Sequence, residues 1–186
     1  SPYSVKVRSW FRYKNIAHEW VPRSAATAPE FQKYPKIPVI PLVVTPDERG
    51  LQDSTPLMEE IEQAHRAPAT EPADPALAFL SALIEEFGDE WANKWMFHYR
   101  WARDVDQIAS AGRIALSVSP GMDETAWANA ASKIRERMTG RVWFVGSNAQ
   151  NARFIEETFL AALGRLEAHL STRAYLFGAR PCFADF

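Results

Sequence analysis

The chain has 186 residues, 47% of them apolar and 24% charged, a composition typical of a soluble globular protein with one large or two small domains. Its formal net charge of −2 argues against a nucleic-acid-binding face, which needs clustered basic residues. No apolar run approaches the ~20 residues of a membrane span and no signal peptide is visible, so we expect no membrane partner.

The cysteine and histidine content excludes two further kinds of site. Cys182 is the only cysteine, which rules out an internal disulfide and indicates a reducing compartment, the cytoplasm. The histidines lie too far apart along the chain for metal-ligand spacing; they are His18, His65, His98 and His169. Because the chain starts with Ser1 instead of methionine and stops at Phe186 within an apparent helix start, we expect a piece of a longer protein.

Residues 1–15 predict an amphipathic helix. Ser1 suits the N-cap and Pro2 the first helical position, and Asn15 can end the helix in the left-handed conformation. The face expected to be buried carries Tyr3, Val7, Trp10, Phe11 and Lys14 at helical spacing. The opposite face, expected in solvent, carries Lys6, Arg8 and Arg12.

Less regular segments follow this helix. Residues 16–21 are a short strand candidate that Pro22 ends, and residues 23–35 form a loop with room for one helical turn. Three basic side chains in this part of the chain are expected at the surface, where most Lys and Arg lie; they are Arg23, Lys33 and Lys36.

The segment 36–52 predicts a β-hairpin. β-branched and apolar residues fill positions 37–44, as in a buried strand. Turn residues then follow at Pro46, Asp47 and Gly50, before a short second strand at Leu51.

Residues 56–65 predict a helix that begins immediately after this hairpin. Ser54 or Thr55 is the expected N-cap, and Pro56 is the first helical residue. The N–H groups of a helix start favour an anion, and the adjacent Asp53 can hold a cation. One small zwitterion could therefore satisfy both groups.

Residues 67–75 predict a linker between two domains, because they are rich in proline and show no apolar periodicity. Asp74 and Pro75 supply the N-cap and first residue of a long helix, and only helical patterns follow. We therefore expect a domain of strands and helices over residues 1–66 and an all-helical domain over residues 76–186.

The long helix carries apolar side chains at helical spacing, at Leu77, Leu80, Leu83, Ile84, Phe87, Trp91 and Trp95. A buried core is favoured over a substrate pocket for its aromatic residues, which include Trp91, Trp95, Phe97 and Trp101. His98 is interpreted as a core or interface histidine with satisfied hydrogen bonds, because the sequence offers it no evident acid or nucleophile partner.

Two more helices are predicted before the C-terminal segment. The first spans residues 123–138 with Asp123 as its cap, after a break at Pro120 and Gly121. The second opens at a capping box of Ser147 and Gln150 and runs to about residue 170. Its buried side is expected to carry Phe154, Ile155, Phe159, Leu163, Leu166 and Leu170.

The order of four motifs resembles the glutathione S-transferase family over nearly the whole chain. The motifs are SPYSVKVR at residues 1–8, Ile37-Pro38, Asp53-Ser54, and a C-terminal run that includes Tyr175, Leu176, Gly178, Ala184 and Asp185. The first motif is most similar to serine-type, tau-like members, whereas omega-like members carry cysteine there. The resemblance implies a thioredoxin-like α/β N-terminal domain and an all-α C-terminal domain, with the strand before Ser1 and the helices after Phe186 missing.

The resemblance also implies a role for the first motif. Ser1 would face the glutathione sulfur, where its hydroxyl and the positive end of the helix stabilise the thiolate. Ser4 ranks second and Tyr3 third among the hydroxyls that could take this role. A serine cannot form a mixed disulfide, which disfavours thiol-transfer chemistry at this position.

The other motifs would bind the remainder of glutathione. Ile37 and Pro38, with Pro38 in cis, would orient the cysteinyl backbone, and Asp53 and Ser54 would hold the γ-glutamyl end. Candidates for the glycyl carboxylate are Arg23, Lys33 and Lys36, and residues expected in the acceptor pocket are Tyr3, Trp95 and His98.

The resemblance places Cys182 at a helix cap where the family usually has serine or threonine. Because a thiol accepts hydrogen bonds poorly, this cap is expected to be weaker, while Asp185 can still accept from the amide of the cap residue. We interpret Cys182 as a small buried residue and not as a catalytic thiol.

The function implied by the resemblance is transfer of glutathione, as co-substrate, to a hydrophobic electrophile in detoxification, by a cytoplasmic homodimer that needs no metal. Isomerisation or reductive dehalogenation through the same thiolate stay open. The alternative is a non-catalytic ligand-binding or protein-interaction module on the same fold, because a fold does not determine a function.

Overall fold

The computed structural model describes all 186 residues, which form α-helices and one two-stranded sheet. The helices are α1 (Pro2–Tyr13), α2 (Ala28–Phe31), α3 (Ser54–Ala64), α4 (Pro75–Glu86), α5 (Asn93–Trp101), α6 (Asp104–Val118), α7 (Glu124–Thr139) and α8 (Ala152–Leu170). The strands are β1 (Leu42–Val44) and β2 (Gly50–Gln52). A π-helical segment spans Phe87–Ala92, and short 3₁₀ helices span Val142–Val145 and Phe183–Asp185. None of the helices combines the length and hydropathy needed to cross a membrane.

The chain folds into two compact units. The first comprises Ser1–Glu85 together with Thr172–Phe186, and the second comprises Glu86–Ser171. The first unit thus includes most of α4 and the C-terminal segment. The predicted linker at residues 67–75, as the division between the family's two domains, stays a prediction.

The apolar face of α1 forms the core of the first unit. Val7, Trp10 and Phe11 are buried against Leu57 and Met58 of α3, as the helical spacing predicts. The partly buried side chains around this core are Ile16, Val43, Leu51, Ile61, Phe183 and Phe186. After α1, Asn15 adopts a left-handed φ of 53°, which confirms its predicted role in ending the helix.

The predicted hairpin is present, but its first strand is shorter than expected. β1 and β2 pair antiparallel, whereas the loop before β1 is held by the side chain of Gln52. The Gln52 amide donates to the carbonyls of Ile37 at 2.8 Å and Val39 at 3.0 Å, and accepts from the Lys36 amide at 2.7 Å. These side-chain bonds take the place of ladder bonds, so the strand starts at Leu42 instead of residue 37.

Two other predictions for the first unit are wrong. Residues 16–21 form no strand. Lys6, expected in solvent, is 6% exposed because it pairs with Glu85 of α4. The helix predicted at residues 56–65 is present as α3 but begins at Ser54, with Asp53 in the cap position.

The second unit contains a hairpin of α6 and α7, fastened by a bond from Trp127 Nε1 to the Gly112 carbonyl at 3.1 Å. α7 begins as predicted, since Asp123 caps it by accepting from the Ala126 amide at 2.8 Å. α6 has no counterpart among the predicted helices.

The predictions for α8 and for the aromatic helix are partly wrong. α8 begins at Ala152, and of its expected buried stripe only Ile155 is buried; Phe154, Leu163, Leu166 and Leu170 are exposed. Trp101 is buried as expected, whereas Trp91 is 60% exposed. Exposed apolar side chains also line α4, at Leu77, Phe79, Leu80 and Leu83.

The cap predicted at Cys182 is present on a single 3₁₀ turn. Cys182 is 4% exposed, and its amide donates to Asp185 Oδ2 at 2.9 Å, which confirms both expectations for this pair. Asp185 also accepts from the Leu176 amide at 3.0 Å, which joins the cap to the preceding loop.

Cys182 is expected to resist thiol reagents in the folded protein. Burial raises the pKa of the Cys182 thiol, so the reactive thiolate is scarce at pH 8, and the sulfur is also shielded from solvent. We expect an aromatic disulfide reagent to react at least ~10-fold more slowly with the native chain than with the chain in denaturant. Equal rates in the two states would contradict the buried placement.

Candidate functional site

The positions of two ion pairs show how α1 and α3 are oriented. Glu85 contacts both Lys6 of α1 and Thr55 of α3, and further along the same helices Lys14 pairs with Glu62. Lys6 and Thr55 lie near the starts of α1 and α3. Lys14 lies about 12 Å further along α1 than Lys6, and Glu62 lies about 10 Å further along α3 than Thr55. The two helices therefore run parallel, and their N-termini open at the same end.

The sheet brings a third segment to this end. Leu42 of β1 pairs with Gln52 of β2, so the antiparallel register sets Pro41 opposite Asp53. The Ile40–Pro41 peptide is cis. The prediction of a cis bond at Ile37–Pro38 is therefore wrong. The cis bond lies three residues later, immediately before β1.

Asp53 stands at the junction of β2 and α3 in an unusual conformation. Its φ is 70° and its ψ is 124°, in a region that residues other than glycine seldom adopt and that recurs at ligand sites. Its side chain is exposed and makes no capping bond to α3. The carboxylate is therefore presented to solvent beside the start of the helix.

Two serines begin the parallel helices. Ser1 is exposed, and its side chain makes no capping bond to α1. Ser54 is 3% exposed and is the first residue of α3. Because a helix start carries unsatisfied N–H groups and a partial positive charge, both positions favour anionic groups.

The backbone of Ile40 differs from that of its neighbours. The Ile37 and Val39 carbonyls are occupied by Gln52, whereas neither the N–H nor the carbonyl of Ile40 has a hydrogen-bond partner. Ile40 thus offers one donor and one acceptor beside Asp53, as a strand edge does. The sequence carried a signal for this position, since Ile40-Pro41 directly precedes the apolar run of β1.

Two of the three basic candidates are engaged elsewhere in the first unit. Arg23 donates to the Pro38 carbonyl at 3.0 Å and lies over the ring of Phe31. Lys33 pairs with Glu30, and the hydrogen bond to this carboxylate raises the pKa of Lys33. The exposed Lys36 side chain has no ion-pair or hydrogen-bond partner, although its backbone amide binds Gln52.

His98 lies in the second unit as a satisfied core histidine, as interpreted from the sequence. It is 1% exposed, with Nδ1 at 2.8 Å from Ser147 Oγ and Nε2 at 3.4 Å from Glu156 Oε1. The bond to Ser147 explains why this serine does not cap α8, a prediction that is wrong. Glu156 was not predicted as a partner of His98, because the two residues are 58 positions apart in the chain.

The other residues expected in an acceptor pocket are Tyr3 of the first unit and Trp95 of the second. Trp95 Nε1 donates to Thr158 Oγ1 at 3.1 Å, and its ring packs edge-on against Phe87. The pocket of Tyr3, Trp95 and His98 stays a prediction.

Comparisons with known proteins agree with the N-terminal geometry. Residues 1–69 match the family model described as glutathione S-transferase, N-terminal domain. No match was found among curated protein sequences.

Solved structures include two similar chains, both glutathione S-transferases. One, from Methylobacterium radiotolerans, was solved in complex with glutathione sulfonate; it is 18% identical with a TM-score of 0.48. The other, from Rhodospirillum rubrum, is 14% identical with a TM-score of 0.54. Each alignment covers 99% of this chain and 69% of the other chain.

These findings confirm the predicted fold class, a thioredoxin-like α/β N-terminal domain followed by an all-α C-terminal domain. Over its first 69 residues, the chain is similar to the N-terminal domain of the glutathione S-transferase family, in agreement with the resemblance of the sequence motifs.

Proposed function

We propose that the chain binds glutathione at the shared end of α1 and α3 and activates its thiol for attack on a hydrophobic electrophile. The observation that carries this proposal is the convergence of Ser1, Pro41, Asp53 and Ser54, which the parallel helices and the strand register bring to one end. The match of residues 1–69 to the N-terminal domain of glutathione S-transferases supports it.

The γ-glutamyl end of glutathione is a zwitterion, and the start of α3 offers both complementary charges. The exposed Asp53 carboxylate suits the α-ammonium group. Ser54 and the N–H groups of the first turn suit the α-carboxylate, because anions are stabilised at a helix N-terminus. Pairing of both charges would fix the orientation of this end.

The cysteinyl residue would pair with the backbone before β1. Ile40 has an unpartnered N–H and carbonyl next to Pro41, the residue set opposite Asp53, so it can hydrogen-bond an extended peptide as a strand edge does. In this proposal Ile40 and Pro41 take the place that the sequence analysis assigned to Ile37 and Pro38. The glycyl carboxylate would then pair with Lys36, the one candidate cation whose side chain is not already paired.

Ser1 would contact the sulfur once both ends are bound. Its hydroxyl can donate to a thiolate, and the positive end of α1 adds favourable potential. Both effects favour the charged form and lower the pKa of the bound thiol from the ~8.5 of a free thiol. The chain would thus increase the fraction of reactive thiolate without forming a covalent intermediate.

Calorimetry with glutathione tests the proposed site. The Asp53→Ala, Ser54→Ala double variant should lose at least about 100-fold in affinity, because two charge-assisted contacts disappear. Asp123→Ala is the matched control, since it removes another acid at a helix start, in the second unit. It should bind glutathione as the parent chain does.

The contrary outcome would be equal binding by the parent and the double variant, which would place glutathione elsewhere or nowhere. A parent chain that binds no glutathione would favour the non-catalytic alternative. An observation on α8 supports that second function: a shallow groove of about 330 Å³ is lined mainly by exposed Leu163, Leu166 and Leu170. In that case an apolar ligand should bind although conjugation is undetectable with several electrophiles.

A further inference from the structure

Glu85 connects the two helices that carry the proposed glutathione-binding serines. Its Oε1 atom accepts from the Thr55 hydroxyl at 2.6 Å and from Lys6 Nζ. Thr55 directly follows Ser54 in the first turn of α3, and Lys6 lies in the second turn of α1. One carboxylate oxygen at the end of α4 therefore contacts the initial turns of both helices.

The ion pair of Lys6 and Glu85 is buried. The side chains of Lys6 and Glu85 are 6% and 8% exposed. Charges withdrawn from water to this extent need a partner, and an apolar pair of similar size is often at least as stable. Stability alone therefore gives little reason for a buried ion pair at this position.

The other end of the same two helices provides a natural comparison. Lys14 pairs there with Glu62, with side-chain exposures of 0% and 12%. Both clusters join α1 to a neighbouring acid, and both contact α3. Only the Glu85 cluster adjoins the helix starts, whereas Glu62 is in the last turns of α3 and contacts Thr70 of the following loop.

We propose that Glu85 is a positioning residue of the glutathione site. By holding Thr55 and Lys6 on one oxygen, it sets the separation between Ser54 and Ser1 at which a single glutathione molecule reaches both. This inference rests on the proposed function, and it adds a residue that touches neither the tripeptide nor the sulfur.

Loss of the Glu85 charge should disturb binding and thiol activation together. Glu85→Gln keeps the side-chain volume but removes the negative charge that pairs with the Lys6 ammonium. Because binding depends on matching both ends of one ligand, we expect glutathione affinity to fall about 10-fold. The pH at which the bound thiol ionises, followed by ultraviolet absorbance of the thiolate, should rise, because Ser1 no longer lies at its optimal distance from the sulfur.

The test compares Glu85→Gln with Glu62→Gln in the full chain, by glutathione calorimetry, thiolate titration and thermal unfolding. Both variants should unfold at a midpoint several degrees lower, because each removes the charge of a carboxylate that pairs with a buried lysine. Only Glu85→Gln should weaken glutathione binding and shift the thiolate titration. Thr55→Val, which removes one donor and keeps the ion pair, should weaken binding several-fold with little change in the midpoint, even if Glu85→Gln does not fold.

Two results would overturn the inference, and they are distinguishable. If the parent binds glutathione while Thr55→Val and any folded Glu85→Gln bind it equally well, Glu85 has only a structural role. If the parent itself binds no glutathione, the proposed function fails and the inference fails with it.

Discussion

Replacing Trp10 by alanine is expected to destabilise the chain by about 3–5 kcal/mol. Trp10 of α1 is fully buried against α3, and its ring stacks on that of Phe183 with centroids 6.0 Å apart. Its Nε1 donates to Thr70 Oγ1 at 2.9 Å, so the substitution creates a cavity and also removes a buried hydrogen bond. A loss of this size is a large part of the 5–15 kcal/mol that stabilises a typical domain.

Denaturant unfolding followed by circular dichroism measures this effect. Trp143→Ala is the matched control, because Trp143 is 68% exposed and its removal should change the free energy of unfolding by less than about 1 kcal/mol. Equal losses in the two variants would mean that the packing of α1 on α3 does not carry the stability of the first unit.

The sequence predicts well those features that depend on neighbours within a few residues. The period of α1 located Val7, Trp10 and Phe11 in the core, because apolar spacing reports directly on a helix face. The cap at Asp123 and the hairpin of β1 and β2 likewise follow from local chemistry. Ser1, Asp53 and Ser54 were singled out for the same reason, since helix starts are local signals, whereas the cis proline was predicted three residues too early.

Features decided by distant partners could not be predicted in this way. Lys6 is buried because Glu85, 79 positions later, neutralises it, and no local pattern indicates such a pair. Ser147 satisfies the capping-box pattern, but its hydroxyl binds His98 instead. In both cases tertiary contacts override a local preference that the sequence reports correctly.

Within the candidate site, the local sequence does not distinguish the two Ile-Pro dipeptides. Residues 37–38 and 40–41 have the same local signal, and both lie within one apolar stretch. Gln52 distinguishes them, because its side chain hydrogen-bonds the backbone of Ile37, whereas the backbone N–H and carbonyl of Ile40 have no hydrogen-bond partner. A side chain 15 positions away thus decides which segment is available to a ligand.

Ser1→Ala is expected to lower the rate of glutathione conjugation about 10- to 100-fold at neutral pH, with affinity for glutathione changed by less than about threefold. In the proposed site the hydroxyl would donate a hydrogen bond to the thiolate, so its loss should raise the pKa of the bound thiol toward the ~8.5 of a free thiol. The thiolate is the reactive form. Its fraction at neutral pH therefore falls, and the rise of activity with pH moves to higher pH.

The measurement is the pH profile of turnover with an activated aryl chloride, together with the absorbance titration of the bound thiolate. Ser9→Ala is the matched control, because Ser9 lies on the exposed side of the same helix and should leave both profiles unchanged. Ser4→Ala discriminates the assignment, since Ser4 is buried within the first turn. A shift with Ser4→Ala and none with Ser1→Ala would transfer the role to Ser4. If neither variant shifts the profile, neither hydroxyl stabilises the thiolate, and the role proposed for Ser1 is wrong.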